Sequence, residues 1–270
     1  MGSKSIPCSA CKNGIHPPFP YTMAFQPIVN VARETVYAYE ALVRGLDGES
    51  AGSILSQLTP ENLYAFDQSC RVKAIQMAAD LNLAQTGAAL SINFMPGAVY
   101  NPATCIRLTL ETAAAVGFPT DQLIFEVVEQ EEVIDPAHLK GIAAEYRRLG
   151  LRIALDDFGA GFCGLNLLAD LSVDVIKLDR RLTRNIDVRP KSSAIVEAMV
   201  VLAHRLGCEL VAEGVESVDE YEKLRSLGIN LMQGHLFAHP AMERLPRFVM
   251  PLPRAANHSH PSMFRPLQMD

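Results

Sequence analysis

Ile153-Ala154-Leu155-Asp156-Asp157-Phe158-Gly159-Ala160-Gly161 is the stretch on which the fold turns. Three apolar residues run into two adjacent carboxylates and then a glycine-rich turn. A short apolar run bounded by glycine predicts a buried strand. Successive side chains of a strand point to opposite faces. Asp156 and Asp157 can therefore reach one site only at a strand mouth or turn. Two like charges so close repel, and a cation relieves the repulsion; hard divalent ions such as Mg²⁺ or Mn²⁺ take oxygen ligands. Taken alone, the dipeptide also fits a plain Asx-type turn.

Working outward, apolar runs alternate with helical stretches. Thr22–Asn30 and Val36–Arg44 read as an opening antiparallel pair around a turn near Ala32–Thr35. A helix over 62–83, a strand over 88–96, helical composition over 105–116 and a strand over 122–130 follow. Next come a helix over 137–149 ending at Gly150, the Asp156–Asp157 strand, a turn-helix over 162–170 and a strand over 173–179. Helices over 191–206 and 218–227, each stopped by a glycine, separate strands over 208–215 and 229–234. This alternation predicts a parallel sheet with helical crossovers. About eight strands in this length predict an α/β fold, a TIM-like (β/α)8 barrel with one antiparallel strand.

The chain has 270 residues, 49% hydrophobic and 20% charged, with net charge −6. That balance suits one globular unit and gives no general attraction for nucleic-acid polymers or anionic membranes. An uninterrupted apolar run of about 18 residues is missing, and the first residues lack the apolar core of a signal peptide. The six cysteines are mostly scattered, as in a reduced cytoplasmic protein. Cys8 and Cys11 have the spacing of half a zinc site, with His16 nearby, but no second pair completes it. Residues 1–19 read as a flexible leader, 20–250 as the barrel domain and 251–270, rich in Pro, His and Met, as a flexible tail.

The residues at the ends of the apolar runs share a character: Glu40, Asn93, Glu126, Asp156 with Asp157, Lys177 with Asp179, Glu213 and Gln233. Each has an ordinary explanation alone, Lys177 for example as a snorkelling surface lysine. In a barrel, however, catalytic groups come from the C-terminal ends of several strands. Glu40, Asn93, Glu126 and Asp156 supply oxygen ligands for one cation, and Asp156 can bridge to a second held with Asp157. Two such metals can share a water and clamp an in-line attack on a phosphodiester. Lys177 can orient that water or offset phosphate charge, Glu213 can support the second metal through water, and Gln233 suits a substrate contact. Glu129 suits a hydrogen bond to the turn after Asp157.

These residues stand in segments that resemble the EAL domain family. They are Phe25-Gln26-Pro27-Ile28, Tyr39-Glu40-Ala41-Leu42-Val43-Arg44, Ser91-Ile92-Asn93, Phe125-Glu126-Val127-Val128-Glu129, Asp156–Gly161, Ile176–Arg180, Val211–Glu216 and Gln233-Gly234. The resemblance implies hydrolysis of the second messenger cyclic di-GMP to linear pGpG with two Mg²⁺ or Mn²⁺ ions. It implies metal ligation by Glu40, Asn93, Glu126, Asp156 and Asp157, catalytic roles for Lys177, Glu213, Asp157 and Glu129, and substrate contacts from Gln26, Leu42, Arg44, Asp179 and Gln233. A homodimer is also implied. Gly45, the stretch Leu46–Asn62, Ala160, Cys163, Gly164, His235 and His239 depart from the family's usual residues, and none is a proposed ligand. Two other readings are a non-catalytic cyclic di-GMP receptor and another divalent-metal barrel enzyme, for instance of the enolate-forming kind.

Overall fold

Asn30 folds the chain back on itself. Its Oδ1 accepts from the backbone N–H groups of Ala32 and Arg33 at 3.2 and 3.0 Å, and this Asx turn joins β1 (Thr22–Asn30) to β2 (Thr35–Arg44). The two strands pair antiparallel, with Gln26 opposite Glu40 and Ile28 opposite Ala38. This is a computed structural model that describes residues 19–128, 136–161 and 164–252. The Cys8–Cys11 pair, His16, Glu129, Phe162, Cys163 and most of the C-terminal stretch lie outside the described residues.

From β2 onward every neighbour is parallel: β3 (Ala89–Asn93), β4 (Leu123–Val128), β5 (Arg152–Phe158), β6 (Val175–Leu178), β7 (Glu209–Ala212) and β8 (Leu231–Met232). Strand β8 then pairs antiparallel with β1 through Val29 and Met232, which closes an eight-stranded barrel. The expected TIM-like barrel with one antiparallel strand is therefore the observed one. A ninth strand, β9 (Ala241–Met242), adds to the outer half of β1. Two residues without a distinctive pattern gave no sequence signal for it.

Helices fill the crossovers. The longer ones are α2 (Leu63–Asp80), α4 (Arg107–Val116), α5 (Pro136–Arg148), α8 (Pro190–Leu206) and α9 (Val218–Ser226); α1 (Ala51–Leu55), α3 (Pro102–Cys105), α6 (Gly164–Asp170) and α7 (Arg180–Thr183) are short. Helix α8 stops where Gly207 takes φ +70° and its N–H returns to His204. Helix α9 starts with a capping box between Ser217 and Glu220. No described helix is long and apolar enough to cross a membrane.

Inside the barrel each strand contributes one residue to a common apolar layer: Ile28, Ala38, Ala89, Ile124, Ala154, Val175, Val211 and Leu231. All eight are 0–2% exposed. This plug seals the interior, so only the end toward the strand C-termini of β2–β8 can hold a polar site.

Candidate functional site

Two residues beyond the plug on each strand, the inward position recurs with different chemistry. Ala38 leads to Glu40, Ala89 to Ser91, Ile124 to Glu126, Ala154 to Asp156, Val175 to Lys177, Val211 to Glu213 and Leu231 to Gln233; on antiparallel β1, Ile28 steps back to Gln26. The period of two that builds a strand thus stacks a ring of polar side chains directly on the plug. The sequence expectation that Glu40 ends its strand needs correction. Strand β2 runs on to Arg44, and Glu40 lies mid-strand, in this ring.

Lys177 is the centre of the ring. It is 1% exposed, so a snorkelling surface lysine is excluded. Its Nζ lies 2.8 Å from Glu213 Oε1, 2.9 Å from Asp156 Oδ1, 3.0 Å from Glu126 Oε2 and 3.3 Å from Glu40 Oε2. One ammonium among four carboxylates leaves an excess of negative charge in a desolvated site, which a bound cation or protons must balance. The local pKa values reflect that imbalance. Burial and the neighbouring carboxylates push Glu126, Glu213 and Asp156 up, with Lys177 opposing. Burial also acts to raise Glu40, but Lys177, Gln233 and Asn93 outweigh it and hold this carboxyl below its ordinary value. Burial acts to lower Lys177, and the four carboxylates more than reverse that.

Hydrogen bonds fix the ring's orientation. Ser91 Oγ donates to Glu126 Oε1 at 2.5 Å, Asn93 Nδ2 to Glu40 Oε1 at 3.1 Å, and Gln233 Nε2 to Glu40 Oε2 at 2.8 Å and Gln26 Oε1 at 3.3 Å. Gln26 Nε2 in turn donates to the Ala238 carbonyl at 3.1 Å. Ser91 is absent from the expected site residues. Its signal was present all along, since it precedes Asn93 by one strand period.

Asp157 joins Asp156 by a backbone irregularity. In a regular strand the two would face opposite ways, but Asp157 takes φ +53° and the β5–β6 register shifts between Leu155 and Phe158. A non-glycine residue in the left-handed region is uncommon and marks a locally imposed conformation. Gly159 follows at φ +96°, where a Cβ would stand 2.6 Å from Leu182 Cδ1. Burial first, then Asp156 and Asp179, raise the Asp157 carboxyl to about 6.

These carboxylates form two groups. Oxygens of Glu40, Glu126 and Asp156 lie within 4.8 Å of one another, as do oxygens of Asp156, Asp157 and Glu213. Both groups consist of hard oxygen donors, they share Asp156, and they carry more negative charge than Lys177 offsets. They fit a pair of divalent cations bridged by Asp156. Glu213 thus belongs directly to the second group, closer than the water-mediated support expected from sequence. Asn93, already oriented toward Glu40, borders the first.

Two clefts meet over the ring and share Glu40 and Asp157. One, of about 240 Å³, is polar and is lined by Gln26, Asp179, Arg180, Glu216, Gln233 and His235 among others. The other, of about 460 Å³, is mainly apolar and is lined by Leu42, Leu55, Phe66, Ile92, Asn93 and Met95 among others. Of the expected substrate contacts, Gln26, Asp179 and Gln233 line the first and Leu42 the second. Arg44 lines neither; it ends β2 two residues beyond Leu42 on the same face, and its Nη1 donates to the Val43 carbonyl at 2.7 Å. Asp179 caps α7 through the N–H of Arg181 at 2.8 Å. Gly234 turns the chain at the cleft floor, where a Cβ would fall 2.0 Å from the Val215 carbonyl oxygen. Arg180, Glu216 and His235 on the polar rim carried no sequence expectation as binding residues.

Known proteins share this arrangement. The family model described as EAL domain matches residues 21–240. A crystal structure of a standalone versatile EAL protein from Vibrio cholerae, in its c-di-GMP bound form, is 47% identical; the alignment has a TM-score of 0.82 and covers 86% of this chain and 97% of that one. The cyclic di-GMP phosphodiesterase RocR of Pseudomonas aeruginosa is 37% identical over 126 residues, 47% of this chain and 32% of RocR. The blue light- and temperature-regulated antirepressor BluF of Escherichia coli is 28% identical over 228 residues, 84% of this chain and 56% of BluF. The chain therefore spans about half or less of these two curated relatives.

Proposed function

The chain belongs to the EAL domain family, and from that premise we propose that it is a metal-dependent phosphodiesterase that hydrolyses cyclic di-GMP to linear pGpG. The observation that carries the reading is the pair of carboxylate groups sharing Asp156 beneath a two-lobed cleft. Glu40, Asn93, Glu126 and Asp156 would hold one Mg²⁺ or Mn²⁺, and Asp156, Asp157 and Glu213 the other. When bound, the cation pair supplies Lewis-acid charge at the phosphate and lowers the pKa of water there.

The chain's own residues do the rest. Lys177 keeps four carboxylates converged, so the ligand set needs little reorganisation, and it adds positive charge beneath the phosphate. Ser91 and Gln233 fix the Glu126 and Glu40 carboxylates from outside. Leu42 and Arg44 continue the inward face of β2 toward the ligand, Arg44 bringing a cation to an acidic rim. Gln26, Asp179 and Gln233 line the polar lobe. The family reading also assigns Glu129 to the loop after Asp157, and it alone supports a homodimer and a cytoplasmic setting.

The test is incubation with cyclic di-GMP and Mn²⁺, with the product read by chromatography. A linear dinucleotide that disappears with excess EDTA supports the reading; product formed in EDTA removes the metal mechanism. A second reading, a non-catalytic cyclic di-GMP receptor, is favoured by the likeness to BluF, whose name is that of an antirepressor. Asp157→Asn separates the two. For a hydrolase, affinity measured with Ca²⁺ stays within about tenfold while turnover falls at least about 100-fold. A wild type that binds tightly and never hydrolyses supports the receptor.

A further inference from the structure

The two clefts over the carboxylate ring offer a planar base very different surroundings. Arg180 and Glu216 line the polar cleft as an ion pair between Nη2 and Oε2, and their side chains are 44% and 39% exposed. A ligand can reach both a guanidinium fork and a carboxylate there. Guanine presents two adjacent donors, N1–H and the N2 amino group, which suit a carboxylate, and two acceptors, O6 and N7, which suit a guanidinium. Adenine lacks the N1–H and places an amino group where guanine has O6. In this cleft it would leave Glu216 unmet and set a donor against Arg180.

The apolar cleft provides no such reading. Its walls are mainly Met23, Leu42, Leu55, Phe66, Ile92 and Met95. The polar groups that reach it beyond the ring are already engaged. Asp67 Oδ2 pairs with Arg71 Nη2 at 2.5 Å, Asp67 Oδ1 accepts from the Met95 N–H at 2.9 Å, and Asn93 Nδ2 donates to Glu40 at 3.1 Å. A hydrophobic pocket separates ligands of similar shape only weakly, whereas a site built to hydrogen-bond rejects a ligand that leaves its groups unpaired.

A cyclic dinucleotide carries its two bases on either side of its phosphates. With one phosphate over Asp156, each cleft receives one base. We propose that this site reads guanine at one base only, and so also hydrolyses a cyclic dinucleotide that joins one guanosine to one adenosine. The proposal rests on the hydrolase reading above. Water adds to one phosphorus as the bond from that phosphorus to the 3′ oxygen breaks. The 3′ oxygen leaves with a proton, giving a linear dinucleotide with a 5′ phosphate and a free 3′ hydroxyl. Because guanine occupies the polar cleft, the same one of the two phosphodiesters is always presented, and one linear isomer forms.

The experiment uses the full chain with Mn²⁺ and three substrates: cyclic di-GMP, 3′,5′-linked cyclic GMP–AMP and cyclic di-AMP. Products are separated by chromatography and sequenced by mass spectrometry. The mixed ring is expected within about tenfold of cyclic di-GMP in kcat/KM, and cyclic di-AMP about 100-fold below the mixed ring, with one linear isomer of the mixed product in large excess. A mixed ring as poor as cyclic di-AMP would mean that both clefts read guanine; three equal rates would mean that neither does. Either result, or equal amounts of both isomers, overturns the proposal while leaving the hydrolase reading intact. Failure to cleave cyclic di-GMP itself overturns both. Glu216→Gln should narrow the gap between the mixed ring and cyclic di-AMP by about tenfold; an unchanged gap counts against the assignment of the polar cleft.

Discussion

The barrel interior holds two layers of side chains, one strand period apart, with opposite contents. The lower has Ile28, Ala38, Ala89, Ile124, Ala154, Val175, Val211 and Leu231. The upper has Gln26, Glu40, Ser91, Glu126, Asp156, Lys177, Glu213 and Gln233, supplied by the same eight strands. The layers are about 7 Å apart along a strand and share one hydrogen-bonded wall. The lower layer is ordinary core, where removal from water stabilises the fold. The upper layer concentrates like charge where water is scarce, which costs stability unless a cation offsets it. The comparison teaches that the wall gives position and burial alone; whether a layer seals the barrel or works chemically depends on side-chain type.

The largest effect should come from removing the one positive group of the upper layer. Lys177→Met leaves four carboxylates with no ammonium partner. Turnover of cyclic di-GMP should fall at least about 1000-fold, and the metal-free protein should lose about 3–5 kcal/mol at pH 8 in urea titration. The sign follows from its raised pKa: Lys177 contributes fully below its ordinary value of 10.5 and loses its effect only as the pH rises through its higher folded value. An equally stable, active variant would erase the distinction between the layers.

A lower-layer change should behave in the opposite way. Ile124→Ala opens a cavity in the plug and should cost about 2–5 kcal/mol of stability, while kcat of the folded fraction stays within about threefold. A kcat collapse without loss of stability would mean that the plug takes part in the chemistry.

Ser91→Ala tests the upper layer's own support. Glu126 loses its 2.5 Å donor, and Mn²⁺ affinity, followed by calorimetry, should weaken about tenfold. Unchanged affinity would leave Ser91 as packing.

The smallest effect is a pH-dependent shift in melting temperature. Asp157, raised to about 6, prefers the protonated form in the folded protein. Its charge therefore destabilises the metal-free fold above pH 6, and that penalty fades as the pH falls through 6 toward the unfolded value of 3.8. In EDTA, Asp157→Asn should melt a few degrees higher than wild type at pH 8, with the gain shrinking below pH 6. A gain that does not depend on pH would point to relief of backbone strain at φ +53° instead.

The amino-acid sequence by itself determined the alternation of strands and helices, the opening antiparallel pair and the polar positions Glu40, Asn93, Glu126, Asp156, Lys177, Glu213 and Gln233, because period and residue type are local properties. It did not reveal β9, whose two residues become a strand only by borrowing the edge of β1. Nor did it place Glu40 within its strand, since a ten-residue strand offers several inward positions and barrel stagger decides which one meets Lys177. Ser91 was hidden for the same reason, and Arg180, Glu216 and His235 gather on one rim through loops distant in sequence. Tertiary structure alone decided that Asp157 turns through a left-handed backbone to join Asp156, and that Glu213 stands beside both. The physical reason is common to these cases: strand periodicity fixes which side of a strand a residue occupies, whereas closure, register shift and stagger fix its height in the barrel and its neighbours.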